Sequence, residues 1–241
     1  MGGNSISPKG GTGRIEEQFE RTRKAFDGIS HFINRGYNLC LNHGNGPQVG
    51  NEIMRMELSR EIVPSLPLGV CVASTQGSIG YMIQQCLQNK LREMGIDREV
   101  VTLVSQVIVN KDDDSFKKPT KYIGKRYTKK EADVMTLQHG WHLKEQEEGK
   151  YRRVVPSPMP EYIMHGKSIK ALVARGTIVI ASGGGGIPVY NNGNGKLEGL
   201  DAVIDKDYSA AKMGRIIRAQ ELWIITDGES IYDNFGAKEQ K

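Results

Sequence analysis

Aromatic residues make up only 7% of the 241-residue chain, too few for an interior built on packed rings, so a sandwich of that kind is disfavoured. Cysteine is scarce as well. Cys40, Cys71 and Cys86 are odd in number, sit in apolar surroundings and lack CxxC spacing, which argues against a disulfide framework and a zinc site. A reducing, cytoplasmic setting is the expectation. No apolar run approaches membrane-spanning length, and the opening MGGNSISPKGGTGR lacks a signal peptide's hydrophobic core, so the chain reads as soluble, unprocessed and without a membrane partner. His43, His139, His142 and His165 show no metal-ligand spacing and read as structural or surface residues; no protein metal site is expected. Internal repeats and low-complexity tracts are absent from the sequence.

What is present is ordinary globular composition, 38% hydrophobic and 25% charged, in a length suited to one domain with an embellishment. Glycine is abundant at 29 residues, which favours an α/β protein with many tight turns. The net charge of +5 is compatible with an anionic partner but cannot tell nucleic acid from a phosphorylated metabolite.

Apolar Ile15, Phe19, Phe26, Ile29 and Ile33 recur at helical spacing over 14–34, and Gly36 ends the pattern. A strand follows at 37–41, then a turn at 42–46 and a helix opened by Pro47. Ile79, Met82, Ile83, Cys86, Leu91 and Met94 predict a second long helix closed by Gly95, ahead of a β-branched strand over 99–109. Residues from about 110 to 158 break the rhythm with charges and prolines and read as an inserted subdomain. A helix at 167–174, a strand at 177–181, a glycine loop at 182–188, a helix from Asp205 and a strand at 222–226 complete the alternation. Such alternation implies a mostly parallel sheet covered by helices.

Ligands gather where the strands of such a sheet end and helices begin. Three glycine-rich stretches fall there: Gly2-Gly3-Asn4, then 43–50 with Gly44, Asn45 and Gly46, then 182–188 with Gly184 and Gly185. Without Cβ, their amides can approach an anion closely. Neither common nucleotide motif accounts for them. Gly166-Lys167-Ser168 has Glu161 where a P-loop needs its first glycine, and Gly44, Gly46 and Gly50 put Val49 where a dinucleotide fingerprint needs its third. The run 117–130 holds six lysines and Arg126 with Tyr122 and Tyr127 interleaved and no acid, which suits either a solvated basic face or nucleic acid. Lys121 stands apart in its turn-prone setting and could face a phosphate. In Asp205-Lys206-Asp207, an acid can cap a helix while Lys206 sits at the positive end of the dipole, an unfavourable place for a cation without a function.

The segments GGNSI at 2–6, NHGNGPQVG at 42–50, TQGSIGY at 75–81, KKPTKYIG at 117–124, ASGGGGIPV at 181–189, GLDAVIDKDYSA at 199–210 and ITDGESIYDNFG at 225–236 together resemble carbamate kinases of the amino acid kinase family, in order and across nearly the whole chain. The resemblance implies a three-layer αβα sandwich with a mainly parallel sheet, a protruding subdomain at about 110–158 and a homodimer. It also implies reversible phosphoryl transfer between carbamoyl phosphate and ADP, giving ATP and carbamate in arginine breakdown, with magnesium accompanying ATP or ADP. By the same resemblance Gly2, Gly3 and Asn4 line the transferred phosphoryl, and Gly44, Asn45 and Gly46 face the carbamoyl group. Lys121 and Lys206 neutralise phosphoryl oxygens, Asp207 orients them, and Thr226 and Asp227 lie along the nucleotide.

Two segments of the family pattern have no counterpart, a hydrophobic strand before Gly-Gly-Asn and a glycine- and lysine-bearing segment after NFG. The single domain over 1–241 is therefore expected to be incomplete at both ends. A fragment of a working enzyme and a catalytically impaired ligand-binding relative are the alternatives this raises; a nucleic-acid-binding module is a distant third, and no nucleic-acid partner is expected.

Overall fold

The computed structural model describes residues 1–2, 6–7, 11 and 13–225. The first amphipathic stretch forms helix α1 (Ile15–Asn34), which buries Phe26, Ile29 and Ile33 and is followed by Gly36 at φ 76°. The chain then passes through the short strand β1 (Cys40–Leu41) into α2 (Gly46–Ser59), with Pro47 in the first turn. The long helix α3 (Leu68–Glu93) begins eleven residues before the predicted Ile79. Its buried stripe is continuous through Leu68, Cys71, Val72, Thr75 and Gln76, so two polar residues stand where the helical period calls for apolar ones.

The single strand predicted over 99–109 is two, β2 (Val100–Thr102) and β3 (Gln106–Val109). The break falls at Ser105, whose amide donates to Gln76 Oε1 at 2.7 Å, a side chain taking the place of a strand neighbour. Next come α4 (Asp114–Lys117), β4 (Lys121–Tyr127), α5 (Lys129–His139), β5 (Leu143–Glu147) and β6 (Lys150–Val155). Strands β4, β6 and β5 pair antiparallel in that order as a separate sheet. Then follow β7 (Pro160–Ile163), α6 (Gly166–Ala174), β8 (Ile178–Ile180), β9 (Ile187–Asn191), β10 (Leu197–Gly199) and α7 (Lys206–Ile217). The sequence periodicity predicts no strand at β7, β9 or β10.

Strand β8 generates the layering. It pairs parallel with β1 on one side and β2 on the other, and all three of its residues are buried. Ile178 and Ile180 join the core beneath α1 and α3, whereas Val179 joins the opposite core beneath α6 and α7. Alternation along one strand thus feeds two hydrophobic layers, the signature of a parallel strand covered on both faces. The β2 and β8 segments run on into β3 and β9, which again pair parallel, while β7 and β10 add antiparallel edges. The result is the αβα architecture with a mainly parallel centre. A third cluster of Val49, Ile53, Ile123, Val155 and Val203 ties the β4–β6–β5 sheet to α2 and the body.

Residues 222–225 form no strand. The Gly2 amide donates to the Ile225 carbonyl at 3.3 Å, but no ladder runs along Leu222, Trp223 and Ile224, whose side chains are exposed. Apolar composition alone does not make a strand without a neighbour to complete its hydrogen bonds.

Candidate functional site

The C-terminal ends of β1 and β8 lie side by side, and the two loops leaving them are stitched together. Asn42 Nδ2 donates to the Ser182 carbonyl at 2.7 Å, the Ala181 amide to the Leu41 carbonyl at 2.9 Å, and the Gly184 amide to the His43 carbonyl at 2.7 Å. From below, the Gln76 side chain donates to the carbonyls of Ser105 and Gly183, while Ser209 Oγ donates to the Gly185 carbonyl at 2.6 Å. Of the polar pair on α3, Gln76 therefore fastens the glycine turn Gly183–Gly185, while Thr75 receives Asn45 of the neighbouring loop. Sequence reasoning missed Thr75, Gln76 and Ser209; the available signal was a polar pair in phase with an apolar helical stripe.

Gly184 and Gly185 adopt φ of 64° and 90°. A Cβ on Gly184 would lie 2.2 Å from Asn45 Nδ2, and one on Gly185 would lie 2.2 Å from the Ile204 carbonyl oxygen. Packing alone thus demands glycine at both positions, whatever they do for a ligand.

Asn45 occupies the position before α2 but does not cap it. Its side chain is buried and donates to Thr75 Oγ1 at 2.8 Å, so the first turn of α2 has no side-chain cap. Gly44 and Gly46 flank it, and the Gly44 amide donates to the Met1 carbonyl at 2.9 Å. An uncapped helix N-terminus presents amide groups and the positive end of the dipole, a setting that favours an anion. His43 is buried beside this loop, with Nδ1 3.1 Å from the Gly44 carbonyl; since a carbonyl only accepts, Nδ1 carries the proton. Burial pulls its pKa down to about 4, so the ring is neutral at physiological pH.

Helix α7 starts at the same end of the sheet. Asp205 caps it through Oδ1, which accepts from the Asp207 amide at 2.9 Å. Lys206 Nζ lies 2.7 and 2.8 Å from the two carboxylate oxygens of Asp207. Lys121, at the start of β4, places its Nζ 2.7 Å from Asp205 Oδ2. Lys121 and Lys206, 85 positions apart in sequence, therefore both reach the head of α7. Met1, Gly2, Asn42, Lys206 and Asp207 line one end of a cavity of about 370 Å³. Gly3, Asn4, Thr226 and Asp227 lie outside the described residues.

Other members of the basic run have acidic neighbours. Lys117 pairs with Asp114, Arg126 with Glu147 and Lys129 with Asp133, so much of the run is a charge-balanced surface. Among the described residues no three His, Cys, Asp or Glu side chains are grouped as a metal ion would need. The two carboxylates at α7 are each engaged by a lysine.

The amino acid kinase family model matches residues 1–241. The carbamate kinase of Pyrococcus horikoshii is 44% identical over 236 residues, covering 96% of this chain and 75% of its own length. Among solved structures, the carbamate kinase of Giardia lamblia bound to AMP-PNP is 34% identical and superposes with a TM-score of 0.89, covering 100% of this chain and 76% of its own. A structure from Aeropyrum pernix is 35% identical with a TM-score of 0.90, covering 98% and 75%. The chain thus spans about three quarters of the length of these relatives. Agreement over the full span in sequence and in backbone makes it a kinase of the amino acid kinase family.

Proposed function

We propose that this chain carries the machinery for reversible phosphoryl transfer between carbamoyl phosphate and ADP, yielding carbamate and ATP. The observation that carries the reading is the meeting of two distant lysines, Lys121 and Lys206, at the head of α7, next to a glycine floor whose Gly183 and Gly185 carbonyls are held by Gln76 and Ser209.

In the forward direction an oxygen of the ADP β-phosphate attacks the phosphorus, the bond from phosphorus to the carbamate oxygen breaks, and carbamate departs with the electron pair. The attacking group and the leaving group are both already oxyanions, so no proton needs to move. That chemistry agrees with a site whose buried histidine is neutral and committed to a backbone carbonyl. The protein's task is to hold two polyanions in line and to offset the charge spread over the transferred group. Lys121 and Lys206 supply positive charge, and Asp207 holds Lys206 in one orientation. Gly184 and Gly185 keep the floor close. The Gly44-Asn45-Gly46 turn and the uncapped start of α2 receive the carbamoyl end, with Gly2 lining the phosphoryl group. Magnesium enters as part of the nucleotide substrate, held chiefly by phosphate oxygens as this hard ion prefers. A homodimer, a cytoplasmic setting and a place in arginine breakdown rest on the family resemblance.

Coupled ATP formation from carbamoyl phosphate and MgADP tests the reading. ATP should accumulate in proportion to carbamoyl phosphate consumed. If ADP binds, acetyl phosphate is turned over and carbamoyl phosphate is not, the substrate assignment is wrong.

A further inference from the structure

Asp205 does two things with one carboxylate. Oδ1 caps α7 by accepting from the Asp207 amide, and Oδ2 receives the Lys121 ammonium from the β4–β6–β5 sheet, 84 positions away. Sequence reasoning gave it only the cap. The second contact matters because of how Lys121 is mounted. Its backbone sits at the first residue of β4, where the sheet meets the body mainly through Val49, Ile53, Ile123, Val155 and Val203. A close backbone crossing joins the same two parts, since a Cβ on Gly50 would lie 3.2 Å from Gly124 Cα. From that mounting a lysine reaches out on four rotatable bonds, and without an acceptor its ammonium samples many positions. The Asp205 oxygen selects one.

The pair is half-buried, with side-chain exposures of 38% for Lys121 and 32% for Asp205, so solvent competes with the contact but does not flood it. Burial by itself would push the Asp205 carboxyl up. The Lys121 ammonium and the Asp207 amide overcome that and hold it below the ordinary carboxylate value, so it is a charged acceptor at neutral pH. Lys206 is paired separately with Asp207, leaving Asp205 to Lys121.

We propose that Asp205 is a positioning residue whose carboxylate anchors the Lys121 ammonium at the head of α7, so that this lysine is already in place when the phosphoryl group arrives. The proposal rests on the phosphoryl-transfer reading for its consequence in rate, but the anchoring can be observed without turnover.

Two substitutions separate the anchor from the cap. Serine and asparagine both cap helices well, so Asp205→Ser keeps the cap but is too short to hold Lys121, while Asp205→Asn keeps the cap and an uncharged acceptor. Asp205→Ser should lower kcat about tenfold with KM for ADP changed by less than about twofold, and Asp205→Asn should fall between it and the unaltered chain. In a Lys121→Met background, Asp205→Ser should cost nothing further, because the residue it positions is gone. An equal loss of kcat in both backgrounds, or no loss in either, overturns the proposal. If Asp205→Ser does not fold, as judged by thermal melting, Asp205→Asn carries the same cycle. The second readout is the rate at which acetic anhydride labels Lys121, measured by mass spectrometry on the 241-residue chain. It should rise severalfold in Asp205→Ser, and an unchanged rate overturns the anchoring. Faster labelling in a chain that turns over no carbamoyl phosphate would leave the anchor standing and remove its catalytic role along with the proposed function.

Discussion

Replacing Lys206 by Met should lower kcat by about two orders of magnitude while KM for either substrate changes much less, and Lys121→Met should do the same. Methionine keeps most of each side chain's length and packing and removes only the charge. The size of the expected loss follows from where that charge would act under the proposed reaction: magnesium arriving with the nucleotide would already neutralise part of the ground-state charge, whereas in the transition state charge spreads over all three equatorial oxygens. A hundredfold loss corresponds to about 2.7 kcal/mol of transition-state stabilisation. Stability should hardly register the same changes. The Lys206–Asp207 pair has side-chain exposures of 28% and 50%, and ion pairs of that kind contribute about 0 to 1 kcal/mol. Lys121→Met costs somewhat more stability than Lys206→Met, since it strips the partner from the half-buried Asp205 carboxylate. Steady-state kinetics alongside urea melts measure both quantities. Two variants with undiminished kcat would return these lysines to the status of ordinary surface charges.

What could be read from the sequence was what repeats or what glycine forces. Helix α1 announces itself through Phe26, Ile29 and Ile33 and stops at a glycine whose left-handed backbone is found in the structure. The three-residue strand β8 was visible because Ile178, Val179 and Ile180 are apolar on both faces. The first eleven residues of α3 were missed since Thr75, Gln76 and Gly77 dilute the apolar stripe, although the pair is buried and bonded to Asn45, Ser105 and Gly183. The break between β2 and β3 was invisible for a related reason: the interruption at Ser105 is made by a side chain from another element. Strands β9 and β10 lie among glycines and asparagines whose local preference is for turns, and it is the ladder from β3 to β9, and from β9 to β10, that holds them extended. For the site, residue types were legible but partners were not. Lys121 looked unusual for its local setting, yet its acceptor is 84 positions away, and the double engagement of Asp205 with Lys121 and with the cap of α7 is a property of the folded chain alone.

The glycine floor supplies the other large expectation, a loss of stability in place of rate. Gly185→Ala should destabilise the fold by about 2 to 5 kcal/mol, combining about 1 to 2 for a left-handed backbone with about 1 to 3 for overpacking. At φ 90° the new methyl would stand 2.2 Å from the Ile204 carbonyl oxygen and 2.7 Å from its carbon. That neighbour is main chain, and Ile204 is itself buried in the core under α6 and α7, so it cannot swing aside as a flexible side chain would. The glycine turn is equally constrained, because its carbonyl is held by Ser209 and the amide of Gly184 by His43. Gly95→Ala provides the comparison: it too has a left-handed backbone, φ 68°, but nothing lies within 4 Å of its added methyl. It should cost only the conformational part, about 1 to 2 kcal/mol. Urea unfolding of the two variants separates the contributions, the difference between their midpoints reporting the clash. Since small domains are stable by only about 5 to 15 kcal/mol, Gly185→Ala consumes a large share of the margin whereas Gly95→Ala does not. Equal midpoints for the two would mean that the floor can yield at Ile204, and the tight stitching of the two loops would then not be what holds the site in shape.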